Sequence, residues 1–527
     1  MLPRPTIEDV IAHGRTLGLA LSQAEARSMQ SRMLEHIDSF ERFHELRIEE
    51  EHLPLDVTDR DPGYRPTEDE DPLNVFIRKC WVAGVDEGPL AGKTIGLKDH
   101  ISVAGVPLSL GSHFMDGYTP DFDASIVTRL LAAGGTIVGK MNMEDFSAGG
   151  PGLSGIGDFG RPLNPHNPAH VTGGSSSGSA AAVAGGLVDI AFGGDQGGSI
   201  RLPAAWSGCL GLMATHGLIP HTGVFGLDPS IDYVGPMTRT VEDLTAVLSC
   251  VAGPDGYDPR QTQLPARLPD YSQALTRGID GITIGVLSEG FGFAGSQPEV
   301  EQAVHAALAS LEGAGARLSS VSAPLHDKAL LALLPIYFEG GKHMFETNLG
   351  GAFARTYYPS SLISSFGRFK HGHDHELPLN YKLGLLMGAY LNRFTHGRLY
   401  AKGHNVRPTF VKQYNQALSQ ADVLALPTSP MTAPVYRQPQ DAQEAIEHTL
   451  FGGQLGIDLG LVAHNTAPFN LTGHPALSIP CGKVGGLPVG LMLVGPYFRE
   501  DLLLQVAAVY QSLVNWASFF PPTPSQG

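Results

Sequence analysis

Short apolar runs rich in valine, isoleucine and leucine recur between helical stretches through most of this chain, and that alternation limits its fold more than any other feature. The runs 136–139, 188–192, 282–286, 423–427 and 491–494 have the length and the branched aliphatic residues of buried strands. Residues 124–133, 179–184, 240–248 and 298–311 read as helices between them, and a last helix opens at Glu500. Thr240 stands at a cap position, with Glu242 and Asp243 in the first turn behind it, where a carboxylate meets the positive end of the helix dipole. Strand and helix in turn describe an α/β protein with a covered sheet.

At 527 residues the chain exceeds what one ordinary core holds, so a large domain carrying an appendage is expected. The first fifty residues read as helix. Thr6 with Asp9, and Ser22 with Glu25, have the spacing of reciprocal caps, in which side chains satisfy the orphan amides of a helix start. Met29, Met33, Ile37 and Phe40 then recur along one helical stripe. Glu49-Glu50-Glu51 ends it, and the polar, proline-punctuated stretch 59–72 is a linker by composition. The expected division is 1–72, a small all-helical domain with its linker, and 73–527, the main body. Within the body, 325–410 is less regular and rich in aromatics (Tyr337, Phe338, Phe345, Tyr357, Tyr358, Phe366), as an insertion over a pocket would be.

A formal charge of −17 repels nucleic acid and anionic membranes, which leaves a neutral or weakly polar small molecule as the expected partner. No run reaches the roughly 18 unbroken apolar residues of a membrane span. The opening residues lack the basic-then-apolar plan of a secretory signal, so a cytoplasmic location is expected. Cys80, Cys209, Cys250 and Cys481 lie scattered with no CxxC spacing, which predicts reduced thiols rather than a zinc site or a disulfide framework. His371-Gly372-His373-Asp374-His375-Glu376 is rich in ligand-type residues, but adjacent histidines on one loop rarely close a tetrahedron. It reads as an exposed loop, and no metal or cofactor is expected.

Chemistry concentrates in three segments. In Asp195-Gln196-Gly197-Gly198-Ser199 the glycines follow the run ending at Phe192-Gly193, where the chain turns at the C-terminal end of a strand. Glycine there lets consecutive amides converge on one point beside a serine hydroxyl. Acyl transfer needs that pairing: the hydroxyl attacks a carbonyl carbon while the amides hold the charge growing on its oxygen. One such donor is worth about 3 kcal/mol in the barrier. An ordinary strand-to-helix turn with an incidental serine is the plain alternative. The second segment, 173–179, runs straight into the helix. Its Gly174-Ser175-Ser176-Ser177-Gly178 fits the G-x-S-x-G elbow, but that elbow needs a strand just before it, and Asn164-Pro165-His166-Asn167-Pro168 is a loop. A phosphate loop is disfavoured as well, because no Gly-Lys-Ser/Thr follows. The third is Lys98, in Gly96-Leu97-Lys98-Asp99. A lysine at its ordinary pKa is no base near neutrality, but one buried beside Ile95 and Leu97 moves down into a working range.

Taken together, Lys98-Asp99, Gly173-Gly174-Ser175-Ser176 and Gly197-Gly198-Ser199-Ile200-Arg201, with 24 residues from Ser175 to Ser199, resemble the amidase signature family of serine hydrolases. The resemblance spans roughly 73–515 and takes in 134–142, 235–243 and 465–476. It implies a mixed central sheet covered by helices on both faces. It also implies roles: Ser199 the nucleophile, Ser175 a proton relay in a cis peptide, and Lys98 the base and then the acid. The amides of Gln196, Gly197, Gly198 and Ser199 would form the oxyanion hole. Gly149 aligns with a backbone contact to substrate, with Gly150 beside it. From the residues alone, Phe146, Tyr337 and Phe338 either line an acyl pocket or pack in the core. Asp195 and Arg201 would brace the loop.

Gln196 stands where threonine is commoner, and the N-terminal helical domain is absent from many relatives. Both features resemble broad-specificity bacterial amidases that hydrolyse aliphatic and aromatic amides and dimerise through that domain, so a homodimer is expected. His100 departs from the asparagine that usually follows Lys-Asp, and Gly149-Gly150-Pro151-Gly152 from a serine-richer stretch. The leading expectation is an amidase taking small carboxylic amides to carboxylate plus ammonia or amine through an acyl-enzyme on Ser199. A carbamate or anilide hydrolase with the same triad is the alternative. The glutaminase subunit of a tRNA-dependent amidotransferase is disfavoured by the N-terminal domain, the Asp-Gln form and the acidic charge. A non-catalytic binding protein is disfavoured because Lys98, Ser175 and Ser199 are all present.

Overall fold

The structure, a computed structural model, describes residues 2–48, 51–57, 59–148, 158–350, 354–447 and 459–521. Two compact units make it up, Met1–His52 and Leu53–Gly527. The first is a pair of helices, Ile7–Thr16 and Gln23–Glu45. Both caps anticipated from the sequence form. Thr6 Oγ1 accepts from the Asp9 amide at 3.1 Å while the Asp9 carboxylate accepts from the Thr6 amide at 2.7 Å, and Ser22 and Glu25 repeat the exchange at 3.3 and 2.8 Å. Val10 and Ala26 are buried, whereas Met29, Met33 and Phe40 stay 44%, 37% and 58% exposed. Most of the apolar stripe is therefore uncovered.

The unit ends at His52, ahead of the stretch whose composition reads as linker. Part of that stretch is built into the second unit. Asp61–Tyr64 forms a strand, and Arg60 beside it holds a bidentate pair with the buried Asp123 at 2.6 and 2.8 Å. Proline and charge imitate solvated chain there, because the partner that buries the arginine lies far along the sequence.

A single 12-stranded sheet organises the second unit. In chain order its strands are β1 (Asp61–Tyr64), β2 (Phe76–Ala83), β3 (Thr94–Lys98), β4 (Thr136–Met141), β5 (Ile190–Asp195) and β6 (Leu210–Met213), followed by β7 (Tyr233–Thr238), β8 (Thr283–Leu287), β9 (Arg317–Val321), β10 (Val423–Pro427), β11 (Ala476–Val484) and β12 (Leu487–Val494). Across the sheet they run β1-β2-β4-β3-β5-β7-β6-β11-β12-β10-β8-β9. β3 is parallel to β4 and β5, and β8 is parallel to β9 and β10. The remaining pairs are antiparallel. The sheet is mixed.

Successive side chains of a strand point to opposite faces, and the two cores follow that period. Ile190 and Phe192 of β5, with Leu491 and Leu493 of β12, pack under the helices Val241–Val251, Pro298–Gly313 and Glu500–Leu513. On the other face Ala191 meets the helix Ser177–Ala184, and Met492 and Val494 meet Tyr414 and Phe469. Helices thus cover both faces, as the family resemblance implied. Burying one such aliphatic side chain fully stabilises by about 1.5–3 kcal/mol.

The region 325–410 is more regular than its sequence suggests. The helices Ala329–Glu346, Ser360–Gly372, Leu379–Thr395 and Arg398–Leu418 fill it. Aromatic content and the internal Pro335 and Pro408 blur a helical period that tertiary packing sustains. The tract from His371 to Glu376 ends the second of these helices and turns, with His373 stacked on Phe369 at 4.9 Å and the His375 side chain 73% exposed. Among the described residues, no group of three or more His, Cys, Asp or Glu could hold a metal, and no helix is long and apolar enough to cross a membrane. The four cysteines are unpaired.

Leu493→Ala removes a fully buried side chain from the larger core and is expected to cost about 2–5 kcal/mol, read as a lower midpoint of chemical unfolding. Leu386→Ala, at a side chain 68% exposed, should change stability by less than about 0.5 kcal/mol in the same measurement.

Candidate active site

Lys98 is the last residue of β3, an interior strand, where Lys98 pairs with Met141 of β4 and Leu97 with Phe192 of β5. That position leaves its side chain 0% exposed. Burial pushes the ammonium down to about 7, against the opposing pull of the Glu144 and Asp195 carboxylates. Its Nζ donates to Ser175 Oγ at 2.7 Å. Lys140, equally buried on β4, instead holds an ion pair with Asp99 at 2.6 Å. Of these two neighbouring lysines, one is matched to a carboxylate and the other to a hydroxyl.

Ser175 lies just ahead of the helix Ser177–Ala184, and the Gly174–Ser175 peptide is cis. Two anchors press this loop onto the segment carrying Ser199. Ser176 Oγ donates to the Gly194 carbonyl and accepts from the Gly194 amide, each at 3.2 Å. Gly173, at φ 78°, passes so close to Pro203 that a Cβ would stand 2.7 Å from the proline Cα.

Ser199 sits half-buried between the end of β5 and the helix Arg201–Ser207. Asp195 holds this turn. Its carboxylate accepts from the amides of Gly198 and Ile200 at 2.6 and 3.1 Å, from Nε and Nη2 of Arg201 at 3.0 and 3.1 Å, and from Asn470 Nδ2 at 2.8 Å. Burial raises that carboxyl, but the Arg201 charge and these hydrogen bonds outweigh it and hold it below the usual carboxylate range. Asp195 and Arg201 brace the loop as expected. Thr466 and Asn470 join them: Thr466 Oγ1 donates to the Gly197 carbonyl at 2.6 Å, and Arg201 Nη2 donates to Asn470 Oδ1 at 2.7 Å. They lie 269 and 275 residues along the chain from the atoms they hold. Their sequence signal is the stretch 465–476 of the family resemblance, which puts polar side chains on the short apolar helix Ala467–Thr472 and just before it, without saying what they hold.

One of the four anticipated oxyanion donors is engaged elsewhere. The Gly198 N–H points to Asp195, and at φ 138° its Cα lies so close to Thr466 that a Cβ would stand 2.5 Å from Oγ1. The carboxylate caps the turn through this amide, so it is a strut of the loop. The amides of Gln196, Gly197 and Ser199 have no such acceptor among the described residues. The Gln196 side chain turns to Asp232, donating from Nε2 to Oδ1 at 3.0 Å, and burial raises the Asp232 carboxyl to about 7.

His100, where asparagine is commoner, is wholly buried. Burial, then the Lys98 charge, hold its imidazole well below the usual range, so it is neutral beside the lysine. Phe146, a candidate for the acyl pocket, is packed into an aromatic core. A left-handed backbone, φ 53°, turns its fully buried ring inward to stack on Tyr381 at 4.4 Å and meet Phe114 and Phe225 edge-on at 5.6 and 5.9 Å. Gly149 and Gly150 lie outside the described residues.

Comparison with known proteins places this geometry. The family model Amidase matches residues 79–504. An enantioselective amidase of Rhodococcus rhodochrous is 38% identical over 456 residues, which cover 86% of this chain and 85% of that protein. A glutamyl-tRNA(Gln) amidotransferase subunit of Synechococcus sp. is 36% identical over 455 residues, covering 85% and 89%. Among solved structures, the native peptide amidase of Stenotrophomonas maltophilia matches with a TM-score of 0.68 at 28% identity, over 86% of this chain and 90% of that one. Lys98, Ser175 and Ser199 fall inside the matched span. The chain belongs to the amidase family and is a hydrolase acting on amide C–N bonds.

Proposed function

We propose that this enzyme is a free-standing amidase of small carboxylic amides, working through an acyl-enzyme on Ser199. The observation that carries the reading is the buried 2.7 Å hydrogen bond from Lys98 to Ser175, on a loop clamped to the segment that holds Ser199. With its pKa pushed down to about 7, Lys98 supplies a neutral amine near neutrality. That amine takes the Ser175 proton as Ser175 Oγ takes the proton of Ser199. Ser199 Oγ then bonds to the carbonyl carbon, and the carbonyl oxygen becomes an oxyanion held by the amides of Gln196, Gly197 and Ser199. The proton returns through Ser175 to the leaving nitrogen, the C–N bond breaks, and acyl-Ser199 remains. Water enters by the same relay and releases the carboxylate. The Asp195 brace keeps the donors in place before charge develops, which is where preorganised amides gain their advantage.

Two features support a free-standing enzyme over a component of an amidotransferase: the Asp195-Gln196 form of the loop, and the extra helical unit Met1–His52 outside the matched span. We assign the exposed stripe of Met29, Met33 and Phe40 to a homodimer contact. The purified chain alone should turn over aliphatic and aromatic primary amides in a panel that includes anilides, carbamates and glutamine. Turnover confined to glutamine would make it an amidotransferase component instead, and preferred cleavage of carbamates or anilides would reassign the substrate class.

Ser199→Ala is expected to lower kcat by roughly 10⁴-fold or more with little change in stability. Acid quenching during turnover followed by mass spectrometry should show an acyl adduct on the wild-type peptide containing residue 199 and none in this variant, and full activity in the variant would sink the mechanism. Because the base form of Lys98 is the neutral one, kcat/KM should rise with pH, reach its half-way point near the lysine's pKa of about 7, and level off above it. The Glu144 carboxylate raises that pKa, so Glu144→Gln should move the rise to lower pH. A shift in the opposite direction would remove Lys98 from the role of base.

A further inference from the structure

A cavity of about 690 Å³ lies in the second unit, and neither Lys98, Ser175 nor any residue from 196 to 199 lines it. Three cations do, Arg260, Arg407 and Lys412, and no aspartate or glutamate is among its lining residues. Arg260 is already matched, since Asp258 accepts from its Nε and Nη2 at 2.9 and 2.6 Å. Arg407 is not. Among the described residues its side chain makes one hydrogen bond, to Ser230 Oγ at 3.1 Å, and its buried Nε has no acceptor. Lys412 is exposed and forms no ion pair among the described residues. Buried guanidinium nitrogens are ordinarily hydrogen-bonded, because an unmet donor there costs about 1–3 kcal/mol. In a chain of net charge −17, a concave site with two unmatched cations and no acidic wall is a local reversal of the surface field.

We propose that this cavity binds a small organic anion, with a carboxylate on Arg407 and Lys412 and an apolar body against Val411, Leu471 and Phe498. The planar guanidinium fork suits a carboxylate, and the volume falls within the usual range for small-molecule sites. The site adjoins the nucleophile loop through two neighbours. Tyr233, which lines it, is the cross-strand partner of Asp195, and Leu471 follows Asn470, which bonds to Asp195 and Arg201. Carboxylates are what amide hydrolysis releases, so a ligand of this class is at hand wherever the enzyme works.

Isothermal titration of the full-length protein with benzoate, and separately with inorganic phosphate, tests the assignment. Wild type should bind benzoate in a salt-sensitive manner, at least about tenfold more tightly than phosphate. Arg407→Met should weaken benzoate binding by about tenfold or more, and Lys412→Met by roughly threefold. The kcat/KM for amide hydrolysis should stay within about twofold in both variants. Lys412 is exposed, so its variant reads the site even if the arginine variant fails to fold. Benzoate affinity unchanged by Lys412→Met, or no benzoate binding up to about 10 mM, overturns the proposal. Phosphate binding without benzoate binding overturns the organic-anion assignment in favour of an inorganic one.

Discussion

Lys98 carries its amine into the middle of a sheet with a hydroxyl, not a carboxylate, as its partner, and the rest of the site is arranged around that condition. The residue next to it in sequence is an aspartate, which would be the natural counter-ion. Strand geometry keeps the two apart. Successive side chains leave a strand on opposite faces, so Asp99 turns away and closes on Lys140 and on the Ser109 amide at 2.6 and 2.8 Å. Lys140 lies on β4 opposite Leu97, one position from Lys98 in the register. Two adjacent buried lysines therefore have different partners: one is neutralised by an ion pair, the other is left to lose its charge by desolvation. Shifting the β3–β4 register by one residue would exchange their surroundings.

The loop bearing Ser199 is fixed by an equally dry ionic group. Asp195 and Arg201 are both 0% exposed and pair at 3.0 Å. Buried pairs of this kind add little net stability, because desolvation offsets attraction, but breaking one partner is costly. Their value here is geometric. A carboxylate that accepts from two loop amides, the guanidinium and Asn470 leaves the turn few other shapes. Thr466 and Ser176 then fix the carbonyls of Gly197 and Gly194 from opposite sides in sequence, one far downstream and one just upstream.

Much of this is legible in the residues themselves. Capping pairs at Thr6, Ser22 and Thr240, and the strands at 190–195 and 423–427, rest on local side-chain chemistry that no distant contact overrides. Lys98 and Ser175 stand out through motif spacing, and their contact across 77 residues follows from β5 lying parallel to β3 while Ser176 holds the Ser175 loop to Gly194 of β5. What stays hidden depends on distant partners. The strand at 61–64 reads as linker until Asp123 is seen to bury Arg60 beside it. Gly198 reads as a donor to substrate until the Asp195 carboxylate is placed beneath it. Phe146 reads equally as pocket wall or core residue until Tyr381, from a helix hidden by aromatic composition, stacks on its ring.

Two of the positions where this chain carries an uncommon residue near the site, 100 and 196, adjoin one segment. His100 accepts the Phe225 amide on its carbonyl at 2.8 Å, and its Nε2 lies where a Gly194 side chain would stand. Gln196 reaches Asp232, whose carboxylate also accepts the Leu227 amide at 2.9 Å. Residues 225–232 are thus held by the Gln196 side chain and by the backbone carbonyl of position 100, and Phe225 in turn packs edge-on against Phe146. The Gln196 amide supports that segment through Asp232, while the imidazole fills the space left beside Gly194, so substitutions at the two positions act through different contacts.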